Sequence, residues 1–276
     1  MCPTRRLRRG IAGDMLGLDF TYTTYQDVRR NLFKYSAPFL IAAGFAAYGF
    51  ILPEPHRAAV FQLLQKVTVL EPWKSLVGVG AGTAVFAFIA FLMTEVLKLH
   101  DRWYDRWVVQ WRHDFDVLFI LPRLLQPFIS RTNQRFWKEA ARNRHTFMER
   151  LYYPYVTDLD PKIPKNKLVR FYEAITVYWL TQINELLLLL LLVACGGYTL
   201  TDYARVDHAY AVRLLRSVLA IVALLALNRL WIRRERQSVV HATAEEIQAI
   251  HDDPQLKADL GTRFRTICQD HGVPYE

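Results

Sequence analysis

The chain has 276 residues, 52% of them hydrophobic, and Lys plus Arg exceed Asp plus Glu by 35 to 26 for a formal charge of +9. The apolar residues are bunched into runs near the roughly 20 residues that a bilayer crossing needs, and basic residues flank those runs. That arrangement argues against an ordinary soluble globule and directs the charge at topology and anionic lipid rather than at nucleic acid.

The first apolar run, Ser36 to Leu52, starts only after residue 35 and lies behind Arg29, Arg30 and Lys34. It reads as a retained helix and not as a cleaved leader. The second run extends from about Ser75 to Leu97, the third centres on Leu186 to Tyr198, and the fourth covers about Leu214 to Ile232. Lys and Arg alternate along the chain: seven in residues 1–35, three in 53–75, fifteen in 98–170, three in 200–216 and seven from Arg229 onward. The positive-inside rule then puts residues 1–35, 98–170 and 233–276 in the cytosol and the two poor loops outside. The three cysteines, Cys2, Cys195 and Cys268, form no pairing pattern. The soluble parts are therefore expected on a reducing side.

Gly and Pro are absent from Thr83 to Leu121, from Lys165 to Cys195 and from Tyr198 to Asp253. Each interval is longer than a bilayer is thick, so the second, third and fourth helices are expected to continue into the cytosol, with an outer loop near Thr201 to Asp207. After the second run, Trp103, Trp107, Trp111, Phe115 and Phe119 recur every four residues as an aromatic stripe. The stripe fits a headgroup belt with helix packing, or an oligomer contact. Val117 to Ile129 is apolar but broken by Pro122 and Pro127, too short to span. It is expected to lie in the interface or to cap the cytosolic helices.

From Ser130, read as an N-cap, a basic helix is expected to run to about Tyr153. Arg131, Arg135, Lys138, Arg142, Arg144 and Arg150 line it, and the first four are the expected contacts for anionic lipid or a partner. The tail from Thr243 reads as two short helices separated near Asp252-Asp253-Pro254, with Ile247, Ile250, Leu256, Leu260, Phe264 and Ile267 on an apolar face.

An ionisable residue within a span is costly and normally has a partner. Glu185, with Gln182 and Asn184, precedes the leucine block, and the antiparallel fourth run brings Asn228 and Arg229 to a similar depth. Glu95 closes the second run on the same side. These six residues form an expected polar layer in which Glu185 pairs with Arg229 or is bonded by Asn228. It acts either as a clasp fixing helix register or as a gate.

Catalytic patterns are scarce. His100, Asp101, Asp105, His113, Asp114 and Asp116 alternate with arginines and read as a solvated charged face with local ion pairs, not as metal ligands. The R-x4-H spacing of Arg236 and His241 resembles that of HEPN ribonucleases, a spacing that a chain rich in Arg produces by chance. No phosphate loop, nucleophile elbow or cysteine pair with metal spacing is present. No enzyme activity, metal or cofactor is expected.

The expected architecture is an all-α integral membrane protein. It is a four-transmembrane-helix bundle with both ends in the cytosol, divided into residues 1–35, 36–98, 99–168, 169–232 and 233–276. The bacterial inner membrane is the expected location and a homo-oligomer the expected form. Two functions follow. One is a channel or membrane-permeabilising protein regulated through its cytosolic helices. The other is a membrane anchor or scaffold with a cytosolic protein partner, as in a secretion, conjugation or defence assembly.

Overall fold

The computed structural model describes residues 25–52, 91–97, 111–157, 160–201 and 208–273, with residues 54, 56–59, 62, 88 and 89 between them. Every regular element among these is helical. In chain order they are α1 (Tyr25–Ala46), α2 (Trp111–Asp114), α3 (Leu121–Leu124), α4 (Gln134–Arg142), α5 (Arg144–Leu151), α6 (Tyr153–Val156), α7 (Lys165–Thr201), α8 (His208–Asp252) and α9 (Pro254–Asp270). Single π-helical stretches occupy Ala47–Ile51, Leu92–Val96 and Phe115–Ile120. Most of the second apolar run, and Trp103 and Trp107, lie outside the described residues.

Two helices are long and apolar enough to cross a membrane, one over Lys165–Gly197 and one over Tyr210–Asp252. The 37 residues of α7 and the 45 of α8 extend for about 56 and 68 Å at ~1.5 Å per residue, well beyond a ~30 Å hydrocarbon layer. Proline sets their limits. Pro164 precedes α7, and Pro254 opens α9 directly after α8. The Asp253 carboxylate caps α9, accepting from the backbone N–H of Gln255 at 2.8 Å and of Leu256 at 3.2 Å. Past the end of α9 at Asp270, Gly272 with a φ of 59° closes a Schellman turn, the Val273 N–H donating to the Cys268 carbonyl at 2.9 Å.

Several boundaries differ from the sequence expectation, each for a local reason. α1 begins at Tyr25, not Ser36, because Asp27, Arg29 and Arg30 continue a helix as readily as apolar residues do; hydropathy marks membrane thickness, not helix length. Ser130 does not cap the basic helix. Asn133 does, its side chain accepting from the Phe136 N–H at 3.0 Å, while the Ser130 hydroxyl accepts from the Thr132 N–H. The basic helix is not continuous to Tyr153, because Asn143 leaves helical geometry between α4 and α5. The tail is not two short helices either: Ile247 and Ile250 belong to the end of α8.

The chain divides into two compact units, one of residues 1–28, 101–177 and 235–276 and the other of residues 29–100 and 178–234. α7 and α8 contribute to both. The first unit has a close-packed core. Phe136 meets Phe147 at 5.7 Å and Phe264 at 5.6 Å between ring centres, and Phe128 stacks on Phe264 at 5.8 Å. Leu121, Leu124, Leu125, Met148, Leu151, Tyr155, Ile250 and Leu260 of the same unit are also buried. The segment from Val117 to Ile129 therefore packs within this unit. Gly261 permits the approach of α9, since a Cβ there would lie 2.9 Å from Phe128 Cε1.

The second unit buries Ile51, Leu188, Cys195, Leu214 and Ile221 against one another, flanked by Ala47, Leu191 and Val218. The Tyr210 hydroxyl donates to the Ile51 carbonyl at 2.7 Å, satisfying the end of the α1 π-turn. Among the described residues of this unit, Leu215, Leu219, Leu227 and Leu230 on α8 and Val193 on α7 are exposed. Half of the most apolar stretch of α7 is buried, against 11% of that of α8.

Candidate functional site

The polar layer of the second unit is built by one turn of α7 facing one turn of α8. The Thr181 hydroxyl donates back to the Tyr178 carbonyl at 2.6 Å, a bond open to Ser and Thr within a helix. The Thr181 carbonyl accepts from Asn228 Nδ2 at 2.9 Å, and Asn228 Oδ1 accepts from Asn184 Nδ2 at 3.0 Å. One residue further along each helix, Arg229 Nε forms an ion pair with Glu185 Oε1. Of the two partners expected for Glu185, Arg229 takes the carboxylate, and Asn228 is occupied by the α7 amide and carbonyl.

Burial within this layer is unequal. The Glu185 side chain is 1% exposed and that of Arg229 is 56% exposed. The acid is fixed inside while the guanidinium reaches outward, the posture of a long basic side chain whose stem lies on apolar surface. Gln182 is also buried, and neither of its carboxamide atoms has a hydrogen-bond partner among the described residues. Glu95 belongs to the π-helical stretch Leu92–Val96, and its side chain lies outside the described residues.

The first unit carries a second set of carboxylates that the sequence reading did not single out. Glu245 on α8 accepts from Lys167 and Arg170 of α7, each at 2.8 Å, and His241 lies 3.5 Å away. Burial alone would raise its carboxyl, but the two hydrogen bonds and the charges behind them outweigh this and hold it below the usual range. Its neighbour Glu246 is fully buried and accepts from the Tyr152 hydroxyl through Oε2. Burial pushes the Glu246 carboxyl up to about 8, the tyrosine bond offsetting only part of that rise. Burial, with the Glu246 charge and hydrogen bond, also pushes Tyr152 well above its ordinary value. Asp259 accepts from Tyr155 and from Arg263, both at 2.9 Å, with Lys162 at 3.6 Å. Adjacent glutamates on a charge-rich helix look like a solvated face; only the elements folded over them decide otherwise.

The remaining expected residues divide clearly. Asp116 does not lie on a solvated face: it is buried and bonds Arg144 at 2.8 Å, while His113 and Asp114 are about half exposed and lie 3.6 Å apart. Arg150 pairs with Asp270. Arg131, Arg135, Lys138 and Arg142 are exposed. Phe115 is buried and stacks on Phe119 at 5.0 Å, with the Arg123 guanidinium 4.1 Å from the Phe119 ring centre. Trp103 and Trp107, and the Trp111 side chain, are outside the described residues. His241 is 82% exposed and lies beside Glu245.

Residues 64–258 match the model of the YmfE protein family, and the chain belongs to that family. The match includes the polar layer and Glu245 and Glu246 of α8. No curated protein and no solved structure matches the chain.

Proposed function

We propose that this member of the YmfE family is a non-enzymatic integral membrane protein whose apolar helices anchor the first unit, as a scaffold, at the cytosolic face of a bacterial inner membrane. Four spans with both ends inside complete the reading, supported by the alternation of basic residues along the chain. The observation that carries the anchor reading is the Glu185–Arg229 pair. A polar layer that lines a pore presents its groups to water and ions. Here the acid is paired with a base of the same chain, and Asn184, Asn228 and the Thr181 carbonyl are joined to one another by hydrogen bonds. Such a layer acts as a clasp between α7 and α8, and the two long helices connect it by continuous backbone to a unit with its own aromatic core.

A channel formed by several copies, regulated through the cytosolic helices, is the second reading. One observation favours it: the buried, unpartnered carboxamide of Gln182 beside Glu185, which a water column or a neighbouring copy would satisfy.

The anchor reading is tested by washing membranes containing the full chain at pH 11 and then digesting intact spheroplasts with protease. Retention in the washed membranes, with residues 111–157 and 235–273 protected until lysis, is expected. Release by the wash, or cleavage of those segments from outside, overturns it.

A further inference from the structure

We propose that the exposed basic row of α4, formed by Arg135, Lys138 and Arg142 with Arg131 in the preceding turn, is a binding surface for anionic phospholipid headgroups. The inference rests on the membrane reading above and names the ligand of the anchored unit.

The six basic residues between 131 and 150 are not equivalent. Arg144 and Arg150 are taken by Asp116 and Asp270, acids 28 and 120 residues away in the chain. Arg131, Arg135, Lys138 and Arg142 are exposed and have no ion-pair partner among the described residues. Arg135, Lys138 and Arg142 recur at steps of three and four, which puts them on one face of a helix over about 10 Å. The opposite face is fixed: Phe136 and Ala140 are buried, and Phe136 contacts Phe147 and Phe264. The row is therefore held outward by the core. The one acid within α4, Glu139, is engaged by Asn143 and lies 3.7 Å from His271, and among the described residues no ion pair joins it to the row.

A row of four exposed cations against a single acid calls for an anionic partner. Lipid is favoured over nucleic acid by two observations. The same chain carries two helices long and apolar enough to cross a membrane, which raises the local concentration of headgroup phosphate. Surfaces that bind single-stranded nucleic acid also expose aromatic rings for base stacking. Here Phe136 is buried, and Trp137 donates its Nε1–H to the Ser130 carbonyl at 3.2 Å. Each Arg or Lys at an anionic surface contributes about fivefold in binding, so four together contribute roughly several hundredfold at low salt.

The test uses the full chain with Cys2→Ser and Gln134→Cys, labelled at residue 134 with an environment-sensitive fluorophore; Cys195 and Cys268 are buried. The protein is reconstituted in nanodiscs of neutral phosphatidylcholine or of phosphatidylcholine with phosphatidylglycerol. Iodide quenching should fall severalfold in the anionic discs, and about 0.5 M salt should restore it, since screening shortens the field to a few ångströms. Arg131→Glu, Arg135→Glu, Lys138→Glu and Arg142→Glu together should abolish the difference without changing the melting temperature. Equal quenching in both lipids, with normal incorporation, overturns the lipid proposal alone. Protection that appears only when an RNA oligonucleotide is added to neutral discs overturns it in favour of nucleic acid. Failure to enter discs of either composition takes down the membrane reading and this proposal together.

Discussion

α7 and α8 are tied by two carboxylate clasps, and the two differ in how much charge each acid receives. In the first unit Glu245 receives two cations, Lys167 and Arg170, and stays partly exposed. In the second unit Glu185 is buried and is paired with Arg229 beside a short chain of amides. The first clasp can lose a bond and let water replace it. The second has its acid buried, so loss of its base strands a charge. The same helix pair thus carries an adaptable clasp and an obligatory one. Glu246, next to the adaptable clasp, is the exception, a buried acid held by a tyrosine hydroxyl.

That exception gives the largest expected effect. A carboxyl raised in the fold to about 8 from an ordinary value of 4.5 stays protonated where the unfolded chain has already ionised. Its contribution is fully present below pH 4.5 and is lost as pH rises to 8, at up to ~1.4 kcal/mol per pH unit. Thermal melting across pH 5 to 8 should show stability falling with pH, and Glu246→Gln should flatten that slope. An unchanged slope in the variant removes Glu246 as its source.

Next in size is Arg229→Ala, which should cost ~3 kcal/mol in detergent because Glu185 is left buried without its base. Glu185→Ala with Arg229→Ala should recover part of the loss. Strict additivity of the two changes would remove the pairing from the account. Glu245→Gln should cost only ~1 kcal/mol, with the loss shrinking at high salt, since its partners are about one-third exposed. The smallest effect is expected from Gln182→Leu, neutral or stabilising by up to ~1 kcal/mol, because a buried carboxamide without partners contributes nothing to lose.

The sequence was most legible where one dimension suffices. Pro164 and Pro254 delimit the long helices without reference to anything distant. The pairing of Glu185 with Arg229 needs only two antiparallel runs and a count along each. Legibility failed where folding brings distant segments together. Asp116 with Arg144 and Arg150 with Asp270 join α-helical pieces across turns whose geometry no spacing encodes. Glu246 sits beside Glu245 in a charged stretch, and only the packing of Tyr152 over it makes it buried. The break at Asn143 was hidden for a related reason: the basic pattern runs through it, while the backbone does not.

The central claim is that the polar layer is a clasp within one chain and not the lining of a pore. Ion flux through liposomes carrying the purified full chain tests it most directly. Wild-type protein is expected to leave the vesicles as impermeable as empty ones at every density tested. Flux that scales with protein and is altered by Glu185→Gln would contradict it and make the layer a gate.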